Sequence, residues 1–160
     1  MHHWRDVDHE RLVQVQTFEE MFDIALPMLE RISKPAVQVC GPISTGGVGT
    51  IEGNVRILEE AMRRVHEKGI SVFNQLPFER SMSRLAVPWD ERREYCEPIL
   101  EVFYRRVFAS GHLSGTMFLP NWETSYGARW ERRFAPTHGI EVVDIPLEWI
   151  ADLLPPVPAG

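Results

Sequence analysis

The chain has 160 residues, 44% of them apolar, and a formal net charge of −6. That is enough to bury a core in one globular domain without disulfides or a structural metal, and the acidic balance excludes wrapping a nucleic-acid polymer, which needs clustered Lys and Arg against phosphates. The two cysteines, Cys40 and Cys96, have no CxxC spacing, and no segment reads as a signal peptide or a membrane span, so the expectation is a reduced, soluble, cytoplasmic protein.

In chain order, residues 1–16 are polar and aperiodic, and Thr17-Phe18-Glu19-Glu20 reads as a capping box opening a helix with Phe18, Met21, Phe22 and Ala25. Pro27 is expected to kink or shorten that helix, and the whole of 1–34 reads as an N-terminal helical extension. Ala36 to Cys40 has the length and valines of a buried strand. From Ile51 to about Lys68 a helix carries Val55, Leu58, Met62 and Val65 on one face and stops at Gly69, and Ile70 to Phe73 is a second strand. Such a strand, helix, strand unit is right-handed and makes its two strands parallel. Asn74 to Glu97, rich in Pro, Arg and Glu, is expected to be an irregular flap, followed from Pro98 by a helix with Ile99, Phe103 and Val107.

Thr116 to Leu119 reads as the third strand, Ser125 to Phe134 as a helix stopped by Pro136, and Ile140 to Ile145 as the last strand. A short helix over 147–154 and a Pro-rich tail over 155–160 complete the chain. The expected fold is a single α/β domain over 35–154, a Rossmann- or flavodoxin-like three-layer sandwich with a mostly parallel sheet of about four or five strands. Such sheets bind ligands at the carboxyl ends of their strands.

One loop at such an end is VQVCGPISTGGVGT, residues 37–50. Gly41-x-x-x-x-Gly46 starts like a P-loop, but Gly47 stands where the phosphate-binding lysine belongs, which argues against ATP or GTP hydrolysis. Gly47-x-Gly49 lacks the third glycine of a dinucleotide fingerprint, since Glu52 occupies that place. What remains is a loop with Ser44, Thr45 and backbone amides before a helix N-terminus that favours an anion, or a plain turn with Thr50 as the helix cap.

The second informative stretch is LPNWETSYGARWERRFAPTHGIEVVDIP, residues 119–146, which leaves the third strand and enters a helix. On VCGPIS, EKGISVFNQ, LPNWETSYGARWE and HGIEVV, spanning about residues 36–145, the chain resembles the nucleoside 2-deoxyribosyltransferase-like superfamily, whose members include transferases, nucleoside-monophosphate N-glycosidases and uncharacterised bacterial and phage proteins. The resemblance implies that Glu131 is the nucleophile attacking the anomeric carbon of a nucleoside or nucleotide. With it, Gly41, Pro42, Ser44, Thr45, Gly46 and Gly47 fall on the sugar or phosphate side and Ser125 and Gly127 at the helix entrance; Trp122, whose loop leaves the carboxyl end of the third strand, either stacks on the base or is a packed tryptophan. A serine at position 125, in place of an acidic or amide side chain, tilts the reading toward a 5′-phosphate. No metal or organic cofactor is implied, and a homodimer or larger assembly is. The chemistry stands on its own terms, because a carboxylate can trap an oxocarbenium-like centre as an ester that water or a second base resolves.

Family enzymes also carry an aspartate on the helix before the third strand and another at that strand's start. Here those positions read Arg105 or Arg106 and Ser114, and the aromatic residue of the first strand is replaced by Gln38 and Val39. Glu79, Asp90, Glu97, Glu101 or Glu123 could supply the missing acid. Without one, the alternative is a non-catalytic nucleotide-binding or interaction module with a degenerate site, so a second carboxylate near Glu131 discriminates between the two. Lesser candidates are a metal site from His2, His3, His9, Asp6 and Asp8, base stacking by Trp89 or Trp130, and a phosphate clamp from the paired arginines at 92–93, 105–106 or 132–133. His112 and His138 suit caps or turns, and Cys40 suits the core.

Overall fold

The computed structural model describes residues 2–155. Two helices, α1 (Asp6–Leu12) and α2 (Phe18–Arg31), precede strand β1 (Ala36–Cys40), helix α3 (Ile51–Glu67) and strand β2 (Ser71–Val72). Helices α4 (Leu76–Leu85) and α5 (Val87–Glu91) follow, then a π-helical run, Ile99–Tyr104, that passes into α6 (Arg105–Ala109). Strand β3 (Gly115–Phe118), α7 (Tyr126–Phe134), β4 (Glu141–Asp144) and α8 (Leu147–Ile150) complete the order. The sheet has four strands in the order β2-β1-β3-β4, and all its pairings are parallel. The expected α/β sandwich is therefore the fold, with strand ends displaced by a residue or two from the expected bounds.

Each face of the sheet buries its own core. Val39 of β1 and Met117 of β3 pack with Leu58, Met62 and Val65 of α3 and Ile150 of α8. On the opposite face Ala36 joins Met28 and Leu29 of α2, Phe103 of the π-helical run and Phe108 of α6. The period-2 alternation of β1 turns Gln38 and Cys40 to that second side, and Cys40 meets Ala128 of α7.

Three expectations need correction. Of the kink or shortening expected at Pro27, the shortening does not occur: α2 runs through it to Arg31, because Met28 and Leu29, both fully buried, anchor the last turn and offset one lost backbone hydrogen bond. Residues 74–97 are not an irregular flap, since α4 and α5 each place a proline in the first turn, where its missing N–H costs nothing. Phe78 and Met82, four residues apart on α4, are 0% and 1% exposed, so this helix is a wall of the core. The polar N-terminal residues also carry structure. Asp8, 1% exposed, accepts from Arg31 at 2.6 Å and from Arg5 at 3.2 Å, and the two guanidiniums keep its carboxyl ionised against the cost of burial. No helix among the described residues is long and apolar enough to cross a membrane. Pro156 to Gly160 of the expected tail lie outside the described residues.

Candidate active site

The sheet order sets where a ligand can sit. From β1 the chain moves outward to β2, then returns across β1 to β3, so the loops leaving β1 and β3 diverge at the carboxyl edge. At this switch point lies a cavity of about 280 Å³. Its wall is formed by Gly41 and Ser44 after β1, by Ile51 and Val55 of α3, by Glu79, Arg80 and Met82 of α4, and by Tyr95. Ile99, Leu100 and Tyr104 of the π-helical run and Ser125, Gly127 and Glu131 at α7 close it. The i→i+5 winding of the run brings Ile99 and Tyr104, five residues apart, onto one face.

Glu131 enters this cavity because Ser125 caps α7, accepting from Ala128 N at 3.2 Å, and the helix carries the carboxylate inward to 9% exposure. Gln38, facing α7 from β1, donates from Nε2 to Glu131 Oε2 at 3.3 Å. Burial pushes the Glu131 carboxyl up to about 8; hydrogen bonds from Cys40 and Gln38 oppose the rise and the charge of Glu79 adds to it. Gln38 Oε1 is buried without a hydrogen-bond partner among the described residues. An amide turned over would present that oxygen to a protonated Glu131, so the site accommodates either charge state of the carboxyl.

Glu79 faces the same cavity from α4. Burial raises its carboxyl to about 7, against a hydrogen bond from the Tyr104 hydroxyl to Oε1 at 2.5 Å. Desolvation raises both carboxyls and the charge of Glu79 adds a smaller rise at Glu131, so between about 7 and 8 the pair holds one proton between them. Tyr95 lies beside them, its phenol pushed up by burial and then by Glu79 and Glu131, and its hydroxyl has no hydrogen-bond partner among the described residues.

The glycine loop is clamped to the loop after β3. Thr124 Oγ1 accepts from Gly47 N at 2.8 Å, and Thr45 Oγ1 accepts from Tyr126 N at 2.9 Å. Asn54, buried on α3, accepts from Val48 N and donates to the carbonyls of Ile43 and Gly46. Gly46 has φ +70°, and a Cβ there would lie 2.1 Å from Thr124 O. Gly46→Ala should therefore destabilise the fold by about 2 kcal/mol and loosen the cavity, read as a lower urea midpoint. An unchanged midpoint would mean that the clamp contributes nothing. Thr50 caps α3, accepting from Gly53 N.

Of the expected site residues, Gly41, Ser44, Ser125, Gly127 and Glu131 come together on the cavity wall. Pro42, Thr45, Gly46, Gly47 and Trp122 are not on it. The amides of Gly47 and Val48 go to protein acceptors, and Trp122 packs edge-on against Phe118 with the Arg132 guanidinium 4.4 Å from its ring. Of the five replacement acids only Glu79 reaches the cavity. Glu97 accepts from Tyr126, and Glu101 pairs with Arg105 and accepts from Trp130, which itself stacks on Phe134. Trp89 packs against the large core and Arg92.

Among the described residues no three His, Cys, Asp or Glu side chains gather as a metal site. Asp8 is committed to arginines, and His3 Nε2 accepts from Asn74 N, as a neutral imidazole whose pKa burial lowers to about 4. Gln38, Arg80, Tyr95 and Tyr104 were not expected at the site. For Arg80 the signal lay in the helical spacing of Phe78, Glu79 and Met82, which the neighbouring prolines obscured; Gln38, Tyr95 and Tyr104 arrive from β1, the link after α5 and the π-helical run, and no local pattern marks them.

No protein-family model, no curated protein and no solved structure matches the chain.

Proposed function

We propose that this protein cleaves or transfers the N-glycosidic bond of a nucleoside or nucleoside 5′-monophosphate through a glycosyl ester on Glu131. The observation that carries the reading is the second carboxyl: Glu79 shares the cavity with Glu131, and both titrate near neutrality. In the first step a Glu131 oxygen bonds to the anomeric carbon as the carbon–nitrogen bond breaks, and Glu79 passes its proton to the departing nitrogen. In the second, water or an acceptor base loses a proton to Glu79 as it attacks the anomeric carbon, and the ester oxygen leaves. The pair needs one proton for the first step, and burial keeps one there near neutral pH; the reactive form carries it on Glu79, the minor of the two one-proton forms because Glu131 is raised further. Apolar side chains of Ile43, Val55, Leu76 and Leu100 suit the face of a base. Neither a metal nor an organic cofactor is required.

The test is incubation with a panel of ribo- and deoxyribonucleosides and their monophosphates, scored for free base. If none is released while a nucleotide raises the melting temperature, the protein is a binding module instead.

Arg80 bears on the phosphate. It lines the cavity, is exposed, and has no partner among the described residues. Arg80→Gln should raise KM for a monophosphate about tenfold and leave the matching nucleoside within about twofold, in steady-state assays. Equal effects on both would remove the phosphate from the reading.

A further inference from the structure

The helix that carries Glu79 is gripped at its entrance by the N-terminal segment. Asn74, in the link from β2 to α4, donates its N–H to His3 Nε2 at 3.0 Å, and its carbonyl accepts from Trp4 Nε1 at 2.8 Å. Both main-chain groups of one residue are therefore held by two consecutive side chains. Asn74 Oδ1 in turn accepts from Leu76 N at 3.2 Å, turning the chain into α4. The Trp4 ring lies 4.7 Å from that of Phe78, the residue before Glu79. The clasp is itself anchored, since Arg31 of α2 donates to His3 O at 2.7 Å and to Asp8 of α1 at 2.6 Å.

On the inner side Gln75 Nε2 donates to Val39 O at 2.8 Å, one residue along β1 from the Gln38 that holds Glu131. One short frame between the two carboxyls thus runs Glu131, Gln38, Val39, Gln75, Glu79, beside the Tyr104 hydroxyl that holds Glu79 directly. That inner tie is one hydrogen bond, and Gln75 Oε1 is buried without a hydrogen-bond partner among the described residues. The outer clasp supplies two bonds and a ring contact at the same corner.

We propose that His3 and Trp4 are positioning residues for Glu79, acting through Asn74 and α4 to fix the acid opposite Glu131; this rests on the glycosidic reading above. Proton transfer to a leaving nitrogen tolerates little displacement, and a slackened α4 would also admit water to the Glu79 carboxyl. The N-terminal extension, none of whose described residues lines the cavity wall, would then govern rate.

The test compares Trp4→Phe, which keeps a ring but loses the N–H, His3→Phe, which loses the acceptor, the double variant, and His3→Gln, whose amide oxygen restores an acceptor. For each, the Glu79 carboxyl is titrated by carbon NMR, assigned by the signal lost in Glu79→Gln, and kcat and KM are measured against pH well below the melting temperature. In the double variant the Glu79 midpoint should fall by at least about half a pH unit toward the ordinary glutamate range. Its kcat should drop about tenfold with KM within about twofold, and His3→Gln should stay within about twofold of the parent. A lower melting temperature with an unmoved midpoint and unmoved kcat would reduce the clasp to a stabilising contact and overturn the proposal. Should the double variant not fold, Trp4→Phe alone gives the same titration. If the parent releases no base, the glycosidic reading fails, and the Glu79 titration still decides whether the clasp positions that carboxyl.

Discussion

Glu131→Gln should abolish base release, by at least about 10³-fold, and should make the protein more stable at alkaline pH. The first effect follows from removing the oxygen that bonds to the anomeric carbon, since an amide is too poor a nucleophile to replace it. The second follows from burial. Glu131 has a folded pKa near 8 against an unfolded value of 4.5, so below 4.5 both states hold the proton and the residue costs nothing. Between 4.5 and 8 the unfolded chain releases a proton that the folded protein keeps, and stability falls by up to about 1.4 kcal/mol per pH unit before levelling above 8. Glutamine has no proton to lose. It can pair with Gln38 once the amides are oriented, which also gives the unpartnered Gln38 Oε1 a donor. Urea midpoints for the two proteins should nearly coincide at pH 5 and diverge by pH 9, with the variant higher. Parallel curves at both pH values would show that Glu131 titrates as an ordinary solvated glutamate, and retained base release would end its role as nucleophile.

The parallel sheet was legible because AVQVC is a short apolar run beside a long amphipathic helix from Ile51, and core burial of this kind writes itself into local pattern. The loop motif around Ser125 and Glu131 was legible too, since a capped helix fixes which side chains follow at one and two turns. Glu79 could be named only as one of five acids. Its place depends on α4 forming where Pro77 and Pro88 read as breakers, and on a π-helical run that turns Tyr104 toward it. Both are tertiary outcomes. The glycines read ambiguously for a related reason: Gly46 and Gly47 meet Thr124 and Asn54, and nothing in the loop's own composition distinguishes a glycine cleared for a ligand from one cleared for another loop. The clasp of His3 and Trp4 on Asn74 joins positions about seventy residues apart and leaves no local trace.

Glu79→Gln should separate the acid's role from that of the nucleophile. With an ordinary nucleoside the variant should lose about 10²–10³-fold in kcat, because the departing nitrogen leaves as an anion unless it is protonated. With a 7-methylpurine nucleoside, whose cationic base departs without a proton, the loss should shrink to within about tenfold, the remainder reflecting the altered charge beside Glu131. The pH profile gives a second readout. In the parent the productive form has one proton on the pair, so the rate should peak between about 7 and 8 and fall on both sides. Glutamine at 79 removes the group that must be protonated, and the alkaline fall should disappear. It also removes the charge that raises Glu131, so the acid limb should move to lower pH. Equal losses for ordinary and methylated substrates, with the alkaline limb intact, would mean that Glu79 only shapes the cavity and that the leaving base takes its proton elsewhere. The same variant in the Tyr104→Phe background should add little to the rate deficit, since the tyrosine hydroxyl reaches the chemistry through Glu79 Oε1.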